Sequence, residues 1–125
     1  KTVKSNTMFT IPVGDLLSSY SWDSSSFFFF FEVFDGAIED VHFLEPLEFS
    51  IEIIAMDNAV EVIFKNLSTK IEYEGKIHSI TIGNFERTFK VDIDPLDPDD
   101  IRPIENTLID LGPVLREEII MATYS

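Results

Sequence analysis

The chain has 125 residues, with nine Lys and Arg against 23 Asp and Glu, for a net charge of −14. That length suits one domain, 1–125, able to bury a core without staples. The absence of cysteine excludes a disulfide framework, a thiolate zinc site and a cysteine nucleophile. No apolar run approaches the ~18 residues of a membrane span, so no membrane contact is expected.

The charge is unevenly spread. No Lys or Arg stands between Lys4 and Lys65, while acids recur from Asp15 to Glu61. Such a field repels phosphate and attracts cationic surfaces, so direct nucleic-acid binding is disfavoured. The plainer reading is that the charge serves solubility alone. Lys1-Thr2-Val3-Lys4 opens without methionine, which suggests trimming, and the segment after it lacks the apolar core of a signal peptide. A cytoplasmic location is the default expectation.

In chain order, Phe9, Ile11 and Val13 alternate within Met8 to Val13 and predict a short strand, with Pro12 suggesting an edge. Gly14 or Asp15 then starts a helical turn through Leu16 and Leu17, and Ser18 to Ser26 is a polar loop broken by Tyr20 and Trp22. Phe27 to Phe34, apolar but for Glu32, predicts a strand covered on both faces and ended by Asp35-Gly36.

Leu47, Phe49, Ile51 and Ile53 alternate with Glu48, Ser50 and Glu52, the pattern of a half-buried strand. A turn at Met56-Asp57-Asn58-Ala59 leads into Val60, Val62 and Phe64, the return of a hairpin. Leu67, Thr69, Ile71 and Tyr73 continue the alternation as far as the turn Glu74-Gly75-Lys76. Ile77 to Ile82 predicts another strand, Gly83-Asn84 a further turn, and Phe85 to Ile93 its return.

Pro95 and Pro98 make Asp94 to Asp100 an exposed loop. Asp110 is the expected N-cap of a final amphipathic helix, whose Leu111, Val114, Leu115, Ile119 and Ala122 share one face. The fold class is therefore α+β, mainly β. Six or seven strands form a curled antiparallel sheet or a partly open barrel, with the C-terminal amphipathic helix across it.

Few residues carry recognisable chemistry. The acids Asp92, Asp94, Asp97, Asp99 and Asp100 lack the spacing of a calcium loop, and a solvated acidic loop is the simpler reading. His42 and His78 stand apart from any acid–base set. No Gly-x-Ser-x-Gly elbow and no phosphate-cradling glycine loop occurs. No catalytic residue, cofactor or metal ligand is assigned. In the strand from Phe27 to Phe31, Phe27, Phe29 and Phe31 point one way and Phe28 and Phe30 the other. One set fills the core; the other meets the final helix, a docking partner or stacked bases.

The run Ile109-Asp110-Leu111-Gly112-Pro113-Val114-Leu115-Arg116-Glu117-Glu118-Ile119-Ile120-Met121-Ala122 resembles the closing signature of the large ribosomal RNA subunit accumulation proteins, the YceD family. Asp110, Leu111, Arg116, Glu117 and Ala122 occupy the matching places. Ile11-Pro12-Val13-Gly14-Asp15-Leu16-Leu17 is similar to that family's opening, and the intervening hairpins follow its order, so the likeness covers most of residues 8–124. One departure stands out. Thr81-Ile82-Gly83-Asn84 falls where family members commonly carry a pair of cysteines, so no metal or redox role is expected of that knuckle.

The resemblance implies a part in 23S ribosomal RNA accumulation and large-subunit biogenesis, without a molecular mechanism. Joined to the charge, it suggests a non-catalytic factor that meets a basic ribosomal protein or assembly factor through an acidic surface. The expected partner-binding residues are Glu45, Glu48, Glu52, Asp110, Arg116 and Glu117, although Arg116 could equally pair with an acid of the sheet. Two rival readings stay open. One is direct rRNA binding through a local basic patch of Lys65, Lys70, Lys76, Arg87 and Lys90; the other is a hydrolytic or metal enzyme using His42 or His78.

Overall fold

The computed structural model describes residues 9–14, 26–33, 38, 41–56 and 58–124. It contains β1 (Thr10–Pro12), β2 (Ser26–Val33), β3 (His42–Met56), β4 (Ala59–Tyr73), β5 (Lys76–Lys90), β6 (Arg102–Pro103), β7 (Leu108–Asp110) and α1 (Gly112–Ala122). The expected helical turn at Asp15-Leu16-Leu17 and the loop with Tyr20 and Trp22 lie outside the described residues.

Two connections decide the sheet. Tyr73 and Lys76 are register partners, so Glu74-Gly75 is a two-residue loop, and both take positive φ, 53° and 79°. That geometry matches the twist of the flanking strands, and Gly75 adopts it without steric penalty. Met56 and Ala59 pair across the other tight turn, where Asn58 sits at φ 56°. Together the turns fold three strands of 15 residues each into a long meander.

The sheet order is β2-β3-β4-β5-β6, and β1 pairs with β7 in a separate two-stranded ribbon. Pairing is antiparallel except between β5 and β6, where Phe89 meets Arg102 and Lys90 meets Pro103 in parallel. Among the described residues the sheet does not close on itself, in keeping with the expected curled sheet, and it is mixed rather than purely antiparallel.

Gly83-Asn84 does not turn the chain. β5 runs through it, with Ile82 opposite Leu67 and Phe85 opposite Phe64. The buried set shifts by one residue there, from Val60, Val62 and Phe64 to Leu67, Thr69 and Ile71 on β4. Asn66 takes φ 53° at the shift. The sequence pattern of two short strands is thus one long strand whose inward face changes parity midway.

One buried cluster joins Leu47, Phe49, Ile51 and Ile53 of β3 with Val60, Val62 and Phe64 of β4, and with Phe9, Ile109, Leu115 and Ile119. Helix α1 and the β1–β7 ribbon therefore close over one face of the sheet. The pairing of the ribbon is extended at its two ends by Leu111 N donating to Phe9 O (3.0 Å) and Val13 N to Thr107 O (2.8 Å). Phe49 stands between Phe9 and Phe64, with ring centroids 6.3 and 6.0 Å away, and Phe64 stacks on Phe85 at 4.5 Å.

The helix begins one step later than expected. Leu111 is its N-cap and gives no side-chain cap bond, while Asp110 Oδ1 accepts from Gly112 N at 2.9 Å. Asp110 thus closes a local turn between β7 and α1.

Candidate functional site

With one face covered, chemistry is to be sought on the other. Register alone lays out that outward face. Glu52, Ile63 and Glu86 form one row across β3–β5. Phe30, Ser50, Lys65 and Asn84 form the next, and Glu32, Glu48, Ser68 and Thr81 the one after. Ile54, Glu61 and Thr88 make the row on the opposite side. Glu32, Glu48, Glu52, Glu61 and Glu86 therefore share a face with Lys65, and Lys65 Nζ lies 3.0 Å from Glu52 Oε1.

Two features show that this face carries unbalanced charge. Glu32 and Glu48 are directly opposite across β2 and β3, a placement that like charges disfavour. Glu61 and Glu86 lie diagonally on β4 and β5, and a hydrogen bond between their carboxyl groups, then burial and repulsion, raises the Glu61 pKa above its usual 4.5.

Amid these acids Phe30 is 67% exposed. The expectation that the phenylalanine strand is covered on both faces is corrected here. The helix and ribbon occupy the side of Ile51 and Phe49, the register partners of Phe29 and Phe31, and leave Phe30 outside.

The six expected partner-binding residues do not form one surface. Glu48 and Glu52 belong to the outward face, and exposed Glu45 lies farther along β3, opposite Lys70. Asp110, Arg116 and Glu117 go with α1 on the covered side. Glu117 is 3.6 Å from Arg102 and 3.9 Å from Arg87, so it helps fasten α1 to β5 and β6. Arg116 is exposed, and its charge acts on Tyr73 near the β4–β5 turn. Glu86 is the site member that sequence reasoning left out, whereas Phe30 belongs to one of the two ring sets for which a docking partner was left open. The alternation of Glu86 and Thr88 with Phe85 and Phe89 was the available signal for Glu86.

The basic residues of the rival RNA surface are dispersed. Lys65 and Lys70 face outward on β4, whereas Arg87 is on the covered side, bonded to Glu118 and over the Phe85 ring at 5.6 Å. Lys90 Nζ donates to both carboxylate oxygens of Asp97 (2.9 and 3.0 Å), and Lys76 sits at the hairpin turn. That bond to Lys90, with one from Asp94 N, holds the Asp97 carboxyl below its usual 3.8.

His42 is paired in register with Glu72, and His78 with Ile71, on the two strands flanking β4. Among the described residues no group of three or more His, Asp or Glu is placed to hold a metal ion. None of their helices is long and apolar enough to cross a membrane.

Past Glu48 the outward face opens into a cleft of about 310 Å3, lined by Glu45, Pro46 and Glu48 of β3, Ser68 and Thr69 of β4, and Ser79, Ile80 and Thr81 of β5. No family model, curated protein or solved structure matches this chain.

Proposed function

We propose that this chain is a non-catalytic docking domain whose acidic outward sheet face receives a basic protein partner. The observation that carries this reading is the register of β2–β5, which gathers five glutamates beside Lys65, itself bonded to Glu52. Opposite charge steers encounter and adds specificity, while exposed Phe30 supplies apolar area within the same face. The resemblance of most of residues 8–124 to the large ribosomal RNA subunit accumulation proteins supplies the setting. The partner is then a basic ribosomal protein or assembly factor, met in the cytoplasm, and the outcome is large-subunit biogenesis and 23S rRNA accumulation.

The test is a titration of the labelled chain against purified large-subunit proteins and, separately, 23S rRNA fragments, at low and raised salt. Binding to a basic protein that weakens with salt and with paired Glu48→Gln and Glu52→Gln substitution supports the reading. Tight binding to RNA alone, or no binding at low salt, removes it.

A further inference from the structure

The cleft beside Glu48 has a cause in the sequence. Pro46 lies inside β3 and has no N–H to give to a ladder. The pairing of β3 with β4 slips between Phe43 and Glu45, between Glu45 and Glu48, and between Glu48 and Ser50. The carbonyl of Glu45 is met instead by Thr69 Oγ1, at 3.1 Å. Where the strands part, the surface sinks. Its lining residues are the acids Glu45 and Glu48, the hydroxyl residues Ser68, Thr69, Ser79 and Thr81, and apolar Pro46 and Ile80, and none is basic. Lys70, the register partner of both Glu45 and Ser79, is next to the cleft but not among its lining residues.

Size and chemistry narrow the occupant. A volume of about 310 Å3 is at the bottom of the ~300–1,000 Å3 range of small-molecule sites, which favours a side chain over a cofactor. Phosphate or carboxylate would meet two negative charges. An apolar group would meet Pro46 and Ile80 but would strip water from acids and hydroxyls and return no hydrogen bond. A cation with several donors satisfies both kinds of wall. The guanidinium presents five N–H donors in a fixed fork that matches a carboxylate and neighbouring hydroxyls, whereas an ammonium offers three donors at one point.

We propose that this cleft is the specificity pocket of the docking face, and that it takes an arginine side chain of the basic partner. The inference rests on the docking reading above and adds arginine selectivity, which a diffuse acidic face would not produce.

Capped oligo-arginine and oligo-lysine peptides of equal length, titrated into the full chain at low salt, read that selectivity. Three variants are compared after their melting curves show intact folding. Glu48→Gln removes a cleft charge, Ser79→Ala removes a cleft hydroxyl at constant charge, and Glu86→Gln removes a charge elsewhere on the same face. The arginine peptide is expected to bind about tenfold tighter than the lysine peptide. Glu48→Gln and Ser79→Ala should erase most of that ratio, whereas Glu86→Gln weakens both peptides alike. Equal affinities, or cleft variants indistinguishable from Glu86→Gln, overturn the pocket and leave the docking face standing. If neither peptide binds, the docking face falls and the pocket with it.

Discussion

Glu61 and Glu86 bring two carboxyl groups together without a positive charge between them. Because Ile63 is opposite Glu86 and Glu61 opposite Thr88, the two acids reach across the β4–β5 ladder on the same face. A shared hydrogen bond requires that one be protonated, and this is the leading reason that Glu61 titrates above its usual 4.5. A raised carboxyl pKa in the folded state means that the native protein holds a proton the unfolded chain has released. The pair therefore favours the fold below about pH 4.5, and that contribution is lost as pH rises through the folded value. Asp97 runs the other way. Lys90 lowers its pKa, so its contribution is present above pH 3.8 and is lost as pH falls through its folded value. Glu61→Gln supplies a permanent donor to Glu86 and removes the titration. Its melting temperature should exceed that of the parent at neutral pH, and the gain should vanish below about pH 4.5. An equal gain at both pH values would mean that the pair does not share a proton.

At the level of elements, α1 and β2 differ in what they contribute. Leu115 is fully buried in the cluster that joins α1 to the sheet, so Leu115→Ala should cost about 2–5 kcal/mol, read by chemical denaturation. Phe30→Ser on β2 should change stability by no more than about 0.5 kcal/mol, because the ring is already in water. A large loss at Phe30 would mean that this ring is a packing element and not part of a docking face. The same contrast shows what could be read in advance. Leu47 to Ile53 announce their strand because their period matches one wet face and one dry face, and the apolar stripe of α1 is equally plain. Gly83-Asn84 misleads because a local turn signal is overruled by continuous pairing of β5 with β4. Phe27 to Phe31 mislead because composition states how apolar a strand is, not which of its faces a distant helix covers. The outward site was legible strand by strand, as with Glu48 and Glu52. The neighbourhood of Glu86 and Glu61 was not, since period two fixes a residue's face but not its partner across the ladder.

Over the whole molecule, electrostatics pulls stability and binding in opposite directions. Lys65, Arg87, Lys90 and Arg102 each lie in an ion pair with an acid of another segment. The pairs of Lys65, Arg87 and Lys90 are part-buried, and salt screens such pairs less than it screens fully exposed charges. Against them stands the self-repulsion of a net −14, spread over a body small enough for the charges to act on one another at low ionic strength. Near 0.1 M salt the screening length is ~10 Å, shorter than most distances between like charges on such a surface but longer than an ion-pair contact. Screening should therefore remove more repulsion than attraction. Raising sodium chloride from a few millimolar to about 0.15 M should raise the melting temperature, by roughly 3–5 °C for each kcal/mol gained at this chain length. Over the same range the affinity for a basic partner should fall, because encounter with that partner depends on the field that salt screens. Melting curves and partner titrations in the same salt series separate the two effects. A melting temperature that falls with added salt would show that the ion pairs outweigh the repulsion. The acidic surface would then be internally balanced, with little field left to steer a cationic partner.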